Sequence, residues 1–277
     1  MAYGYRPWEV DLDEVEAKRD VRVRVKSFPQ DHNREPTMAA LPVNIYGHAP
    51  PHPDHTDPKT VLAGGFKRFM RKTPEPDPKL LGDLREFVRK EIERNPLWAP
   101  LDSTSDTSFE TWIANTSYPE WRRDDLRKTW KDYDGHLKPW HTVCSSFMKD
   151  ETYGGCEYKH ARCIMSTHDV FKCEVGPIFR LIEKKVFKDP SFIKYVPVPD
   201  RPATILKKLW QPGAKYIATD YTAYESHFVA SLMEAVEFVL YEHMTKHLKD
   251  GPRFMHLMRT VLAGRRRAQF KYFDVEV

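Results

Sequence analysis

The stretch Lys215-Tyr216-Ile217-Ala218-Thr219-Asp220-Tyr221-Thr222-Ala223-Tyr224-Glu225-Ser226-His227-Phe228 decides how the chain is read. Tyr216, Ala218 and Asp220 alternate with Ile217 and Thr219 at the period of a strand, which predicts a buried strand delivering Asp220 into a polar loop. Glu225 follows about one turn further on. An aspartate fixed at a strand end can hold Mg²⁺ through its oxygens with little loss of side-chain freedom. Acids at this spacing also occur on ordinary surfaces, so the flanking residues must separate a metal site from a solvated loop.

Upstream, positive charge is concentrated. The 277-residue chain has a net charge of only +4, yet residues 138–215 carry 14 Lys and Arg against 8 Asp and Glu. That fits a channel for phosphates, with a solvated basic face as the alternative. Residues 141–149 alternate as a strand, and after a turn at Gly154-Gly155 the run Lys159-His160-Ala161-Arg162-Cys163-Ile164-Met165-Ser166-Thr167-His168 forms a second. Pairing them brings Lys149, Lys159 and Arg162 into one neighbourhood. Cations converging in this way suit a triphosphate, and arginine grips phosphate oxygens through two parallel hydrogen bonds. An amphipathic helix follows, carrying Val175, Ile178, Phe179, Ile182 and Val186 inward and Lys184, Lys185 and Lys188 outward. Ile205, Leu206 and Leu209 predict a short buried helix within a proline-rich connection.

Downstream, Leu232, Val236, Leu240, Met244 and Leu248 recur every fourth residue, predicting one long helix beneath the strand of Asp220. A second helix with Phe254, Leu257, Met258, Val261 and Leu262 ends at Gly264, and Ala268, Phe270, Tyr272, Val275 and Val277 belong to a final strand. Near the start, residues 1–58 form a Pro/His-rich extension, expected to be flexible, in which Arg22 to Lys26 alternate with valine as an edge strand. Asp77 and Pro78 open a core helix bearing Leu80, Leu84, Phe87 and Ile92, which Asn95-Pro96 closes. Phe109, Trp112, Trp121 and Trp130 lie among Arg122, Arg123 and Arg127. Such a mixture either clamps a single strand or packs as core.

Composition narrows the class. With 40% hydrophobic and 13% aromatic residues the chain is not wholly disordered, and no apolar run reaches the length of a membrane span. Cys144, Cys156, Cys163 and Cys173 include no CxxC, which points to reduced thiols in a cytosolic setting. Cys156, His160, Cys163, His168 and Cys173 offer zinc as a minor alternative.

The basic strand pair, the helix bearing Glu183, and Ala218-Thr219-Asp220-Tyr221-Thr222-Ala223-Tyr224-Glu225-Ser226-His227-Phe228 together resemble the RNA-dependent RNA polymerases of positive-strand RNA viruses, most closely the tombusvirus-like group. The likeness spans roughly residues 59–277. It implies an α+β fold, a partial right-hand polymerase with mostly helical fingers over 59–214 and the first palm strand and helix over 215–277. Asp220 matches the first metal-binding aspartate of motif A, and Glu225 matches the acid that senses the ribose 2′-OH, where the family usually has aspartate. Lys149, Lys159 and Arg162 match the basic finger motif F, which lines the path of the incoming nucleotide and neutralises its triphosphate. The region from Phe109 to Trp130 would sit near the template entrance.

The implied cofactor is Mg²⁺, with Mn²⁺ as a substitute. The implied partners are an RNA template with its primer or nascent strand, and ribonucleoside triphosphates, in a viral replication complex of the host cytoplasm whose membrane association comes from partners. The chain departs from the family in having neither the Ser-Gly-x3-Thr loop nor Gly-Asp-Asp. The expectation is therefore a piece lacking the rest of the palm and the thumb, inactive alone, either a partial reading frame or one half of a divided polymerase. A non-catalytic RNA-binding or scaffolding subunit is the alternative from another class.

Overall fold

The computed structural model describes residues 21–26, 52–153, 160–221, 224–264 and 266–277. They form an α+β fold around one mixed five-stranded sheet in the order β1-β5-β4-β2-β3, where β1 is Arg22–Val25, β2 Val143–Met148, β3 Cys163–Ser166, β4 Arg267–Gln269 and β5 Phe273–Glu276. All neighbours are antiparallel except β2 and β4. The valine–arginine alternation does form an edge strand, paired Val23 to Val275.

Helix α1 (Pro58–Gly65) starts at Asp57, whose carboxylate accepts from the Thr60 amide, and widens into a π-helical turn over Phe66–Met70. It packs against β2 and β3, burying Val61, Phe69 and Met70 against Met148, Cys163, Phe270, Phe273 and Val275. The approach is close because Gly64 has no side chain: a Cβ there would meet Met148 Sδ at 2.5 Å and the Ala161 carbonyl oxygen at 2.7 Å.

Helix α2 (Pro78–Arg94) is capped by Asp77 and stopped at Asn95, as its sequence predicts. Helices α3 (Phe109–Ala114), α4 (Glu120–Asp132) and α5 (Asp169–Val186) share a small core of Phe109, Ile113, Leu126 and Cys173. Helices α6 (Arg201–Leu209), α7 (Ala230–Ala235), α8 (Glu237–Thr245) and α9 (Gly251–Met258) complete the set, and the largest core joins α5 to α8 and α9 through Ile178, Ile182, Phe238, Met244, Phe254 and Met258.

Five expectations need correction. The segment from Lys215 to Asp220 is not a strand: it pairs with no strand among the described residues, and Ile217 is 91% exposed. Alternation makes a strand only where a neighbouring strand supplies backbone partners. Here the chain turns at Gly213 (φ 74°) and folds back, so that the Tyr216 hydroxyl donates to the Leu209 carbonyl at 3.0 Å and accepts from the Gln211 amide at 2.9 Å.

The expected long helix is two helices, α7 and α8, because Val236 (φ −122°, ψ −73°) leaves helical geometry between them. The expected last strand is a hairpin of β4 and β5, closed by the Phe270 amide on the Phe273 carbonyl at 2.9 Å. Its apolar phase slips there, which is where the chain reverses.

Helix α2 is not a core helix among the described residues. Its Ile92 is buried and it packs along α7 and α8, but Leu80 and Phe87 lie exposed on its other side. Helix α6 is likewise exposed at Leu206 and Leu209; among the described elements it packs chiefly on the short turn Val198–Asp200.

Candidate functional site

The antiparallel β2–β3 pair sets the site. Opposed residues share a face, and the ladder continues past Met148 and Cys163 with the Lys149 amide donating to the Arg162 carbonyl at 2.8 Å. Lys149 and Arg162 therefore project from the same face, as expected. Between them stands an acid the sequence reasoning missed. Arg162 donates from Nε and Nη2 to both oxygens of Glu151, Lys149 Nζ lies 2.9 Å from Glu151 Oε2, and the Tyr153 hydroxyl donates to Oε1 at 3.2 Å. Arg162's hydrogen bonds, aided by Lys149, pull the Glu151 carboxyl down to about 2. The signal was present in Lys149-Asp150-Glu151, where residues two apart on an extended chain point the same way. Lys159 lies outside the described residues.

A second cation source comes from the π-helical turn after α1, which carries Lys67 and Arg68 and is followed by Arg71. Arg68 Nη1 donates to Glu225 Oε2 at 2.7 Å, joining the acid of the 215–228 stretch to the turn after α1. Arg162 also feels the Glu225 charge. Burial, then the charges of Arg71 and Arg68, pull the Lys67 ammonium below its ordinary value. Among the described residues Arg71 has no carboxylate partner. Sequence reasoning had not singled out these cations; a basic run directly after Gly64-Gly65, at the end of a helix lying on the sheet, was the available signal.

Glu225 sits on the short 3₁₀ turn Tyr224–His227, held from behind by Tyr224 edge-on to Phe228 at 5.0 Å and by the Arg266 guanidinium, which donates to the Phe228 carbonyl. Asp220 is not brought to this cluster. It is exposed, and among the described residues its hydrogen bond is the local one to the Tyr221 amide at 2.9 Å. Among the described residues the other Asp220 oxygen accepts no hydrogen bond. A single carboxylate completed by substrate phosphate oxygens fits the way Mg²⁺ is commonly held.

Phe109, Trp112 and Trp130 of the aromatic–arginine region pack into a small core, while Trp121 stays exposed. Phe109 stacks on Trp130 at 5.1 Å, and the region's arginines are spoken for by carboxylates: Arg122 by Asp169, Arg123 by Glu120, and Arg127 by Asp124. Among the described residues no group of three His, Cys, Asp or Glu side chains could hold a metal ion, and burial pushes the Cys163 and Cys173 thiols up to about 12. Cys156 lies outside the described residues. A cavity of about 830 Å³ between α3, α4, α5 and α9 is lined by none of Lys149, Arg162, Asp220 and Glu225.

No family model matches the chain, and no curated protein matches it.

Proposed function

We propose that the chain is the nucleotide-binding and first metal-binding part of an RNA-directed RNA polymerase, a partial right-hand polymerase with its fingers in residues 59–214 and the start of its palm in 215–277. The reaction is RNA-templated nucleotidyl transfer from ribonucleoside triphosphates. The observation that carries the reading is the Arg68–Glu225 pair at 2.7 Å, which holds the acid aligned with ribose selection at the turn after α1, near enough for its charge to act on Arg162. Acids and cations converging from distant parts of the chain are what binding a sugar triphosphate requires.

In this reading Arg162 and Lys149 exchange Glu151 for the triphosphate and neutralise charge as pyrophosphate leaves; Lys159, the third cation of the motif, lies outside the described residues. Arg68 engages Glu225 Oε2, which leaves Oε1 to accept from the ribose 2′-OH. Asp220 is the residue that would hold Mg²⁺, or Mn²⁺ in its place, and the ion would supply charge neutralisation at phosphate oxygens; among the described residues Asp220 stands apart from the Lys149–Arg162 end. The exposed apolar approach to Asp220, with Tyr216 and Ile217 uncovered, suits a surface completed by a further polymerase portion in the same or another chain.

The alternative, a non-catalytic RNA-binding subunit, draws on the fact that Glu151 already satisfies both Lys149 and Arg162. Incorporation of labelled UMP on an oligo(A) template by the replication complex containing this chain separates the two. Asp220→Asn should abolish incorporation while RNA retention stays nearly intact, and substantial residual synthesis would overturn the metal role.

A further inference from the structure

The exposed face of the β2–β3 pair carries more than cations. Along β2, Ser145, Phe147 and Lys149 are exposed while Ser146 and Met148 are buried against α1. The register opposes Phe147 to Ile164 and Ser145 to Ser166, and β4 adds Gln269 beside Ser145. The face therefore runs from the Lys149–Arg162 end, across an aromatic ring that is 52% exposed, to a row of hydroxyl and amide groups. Lys149 is four steps along the strand from Ser145, so the stripe is about 13 Å long at strand rise.

Beyond the row lies a cleft of about 510 Å³ between β2, β3, β4 and the start of α5, which Trp140, itself 58% exposed, also lines. Arg122 and Lys172 line it too; both pair with Asp169, and Asp125 lies 3.8 Å from Arg122. Lys138, paired with Asp134, lies 5.6 Å from the Trp140 ring. Burial lowers the His168 imidazole below its ordinary value. Exposed rings, hydrogen-bonding side chains, and the two cations that share Glu151 at the Lys149–Arg162 end are the parts that bind unpaired nucleotides: bases stack, base edges bond, and the backbone is neutralised.

We infer that this face is a platform for single-stranded RNA, with Phe147 and Trp140 stacking bases of the strand that leads to the Lys149–Arg162 end. The inference rests on the polymerase reading for the identity of the strand as template, and on the sheet face for the binding itself.

The test is fluorescence anisotropy of a labelled ten-nucleotide oligo(U) with the 277-residue chain, alongside tripolyphosphate binding by calorimetry. Losing one stacked base should weaken RNA binding about tenfold in Phe147→Ala and in Trp140→Ala. Both rings are largely exposed, so neither change removes core packing. As a second measurement, 4-thiouridine RNA should crosslink within residues 140–148. Unchanged RNA affinity in both variants, or crosslinks only elsewhere, overturns the platform. If the variants lose RNA binding while the wild-type chain shows no Arg162-dependent affinity for tripolyphosphate, the platform stands and the polymerase reading fails.

Discussion

Arg68 and Glu225, 157 residues apart in sequence, meet at 2.7 Å. The contact joins the turn after α1 to the turn after Asp220, and from there the Glu225 charge acts on Arg162. Because Glu225 is 68% exposed, the pair contributes little to stability, on the order of 0.5 kcal/mol. Its consequence lies in where it holds the carboxylate. Arg68→Ala should lower the ratio of ATP to dATP affinity two- to fivefold with little change in thermal midpoint; an unchanged ratio would remove Glu225 from ribose selection.

Glu151 already occupies both cations of the β2–β3 end, so it competes with any incoming phosphate. Glu151→Gln keeps the shape and removes the charge. Tripolyphosphate should then bind about tenfold more tightly, in line with the few kcal/mol that a carboxylate shared by two cations can command. Weaker binding in calorimetry would instead make Glu151 a support that orients Arg162.

Close packing of α1 on the sheet gives a paired prediction. Gly64→Ala drives a Cβ into Met148 Sδ and into a backbone oxygen that cannot step aside, so denaturant titration should show a loss of about 1–3 kcal/mol. Gly82→Ala, on α2 with no atom within 4 Å of its added Cβ, should gain about 0.5–1 kcal/mol. Equal effects at the two sites would contradict the packing of α1.

Acid should destabilise the fold through its histidines. Burial and the neighbouring Lys67 charge hold His160 down to about 4 from an ordinary 6.5. As pH falls through this window the unfolded chain takes up a proton that folded His160 refuses, so stability drops between 6.5 and 4 and is constant above it. His141, His168 and His243 are lowered by burial too and add to the slope. Glu151, depressed to about 2, contributes above the ordinary carboxylate range and loses that contribution only as pH falls toward its folded value, largely below this window. Thermal midpoints of His160→Gln should decline less steeply from pH 6.5 to 4 than those of the wild-type chain. An identical slope would place the effect elsewhere.

Much of this was legible in the residues. The β2–β3 pair, the edge strand at Arg22–Val25 and the capped start of α2 followed from period, register and capping, which are local properties. Period alone did not say whether a partner exists. The 215–220 run has a strand's alternation and no strand beside it, and α2 has a core helix's spacing with only Ile92 buried. Arg68 and Glu151 were hidden for a related reason: a charged residue's role depends on which distant chain segment faces it, and neither the π-helical turn nor the β2–β3 register is a property of the residue itself.

The most direct test of the central claim is equilibrium binding of radiolabelled GTP to this chain with Mg²⁺ present, comparing wild type with Arg162→Ala. Losing a charged fork on a triphosphate should weaken binding at least tenfold, with RNA affinity falling less. Equal GTP affinity in the two proteins would contradict the assignment of this face to the incoming nucleotide.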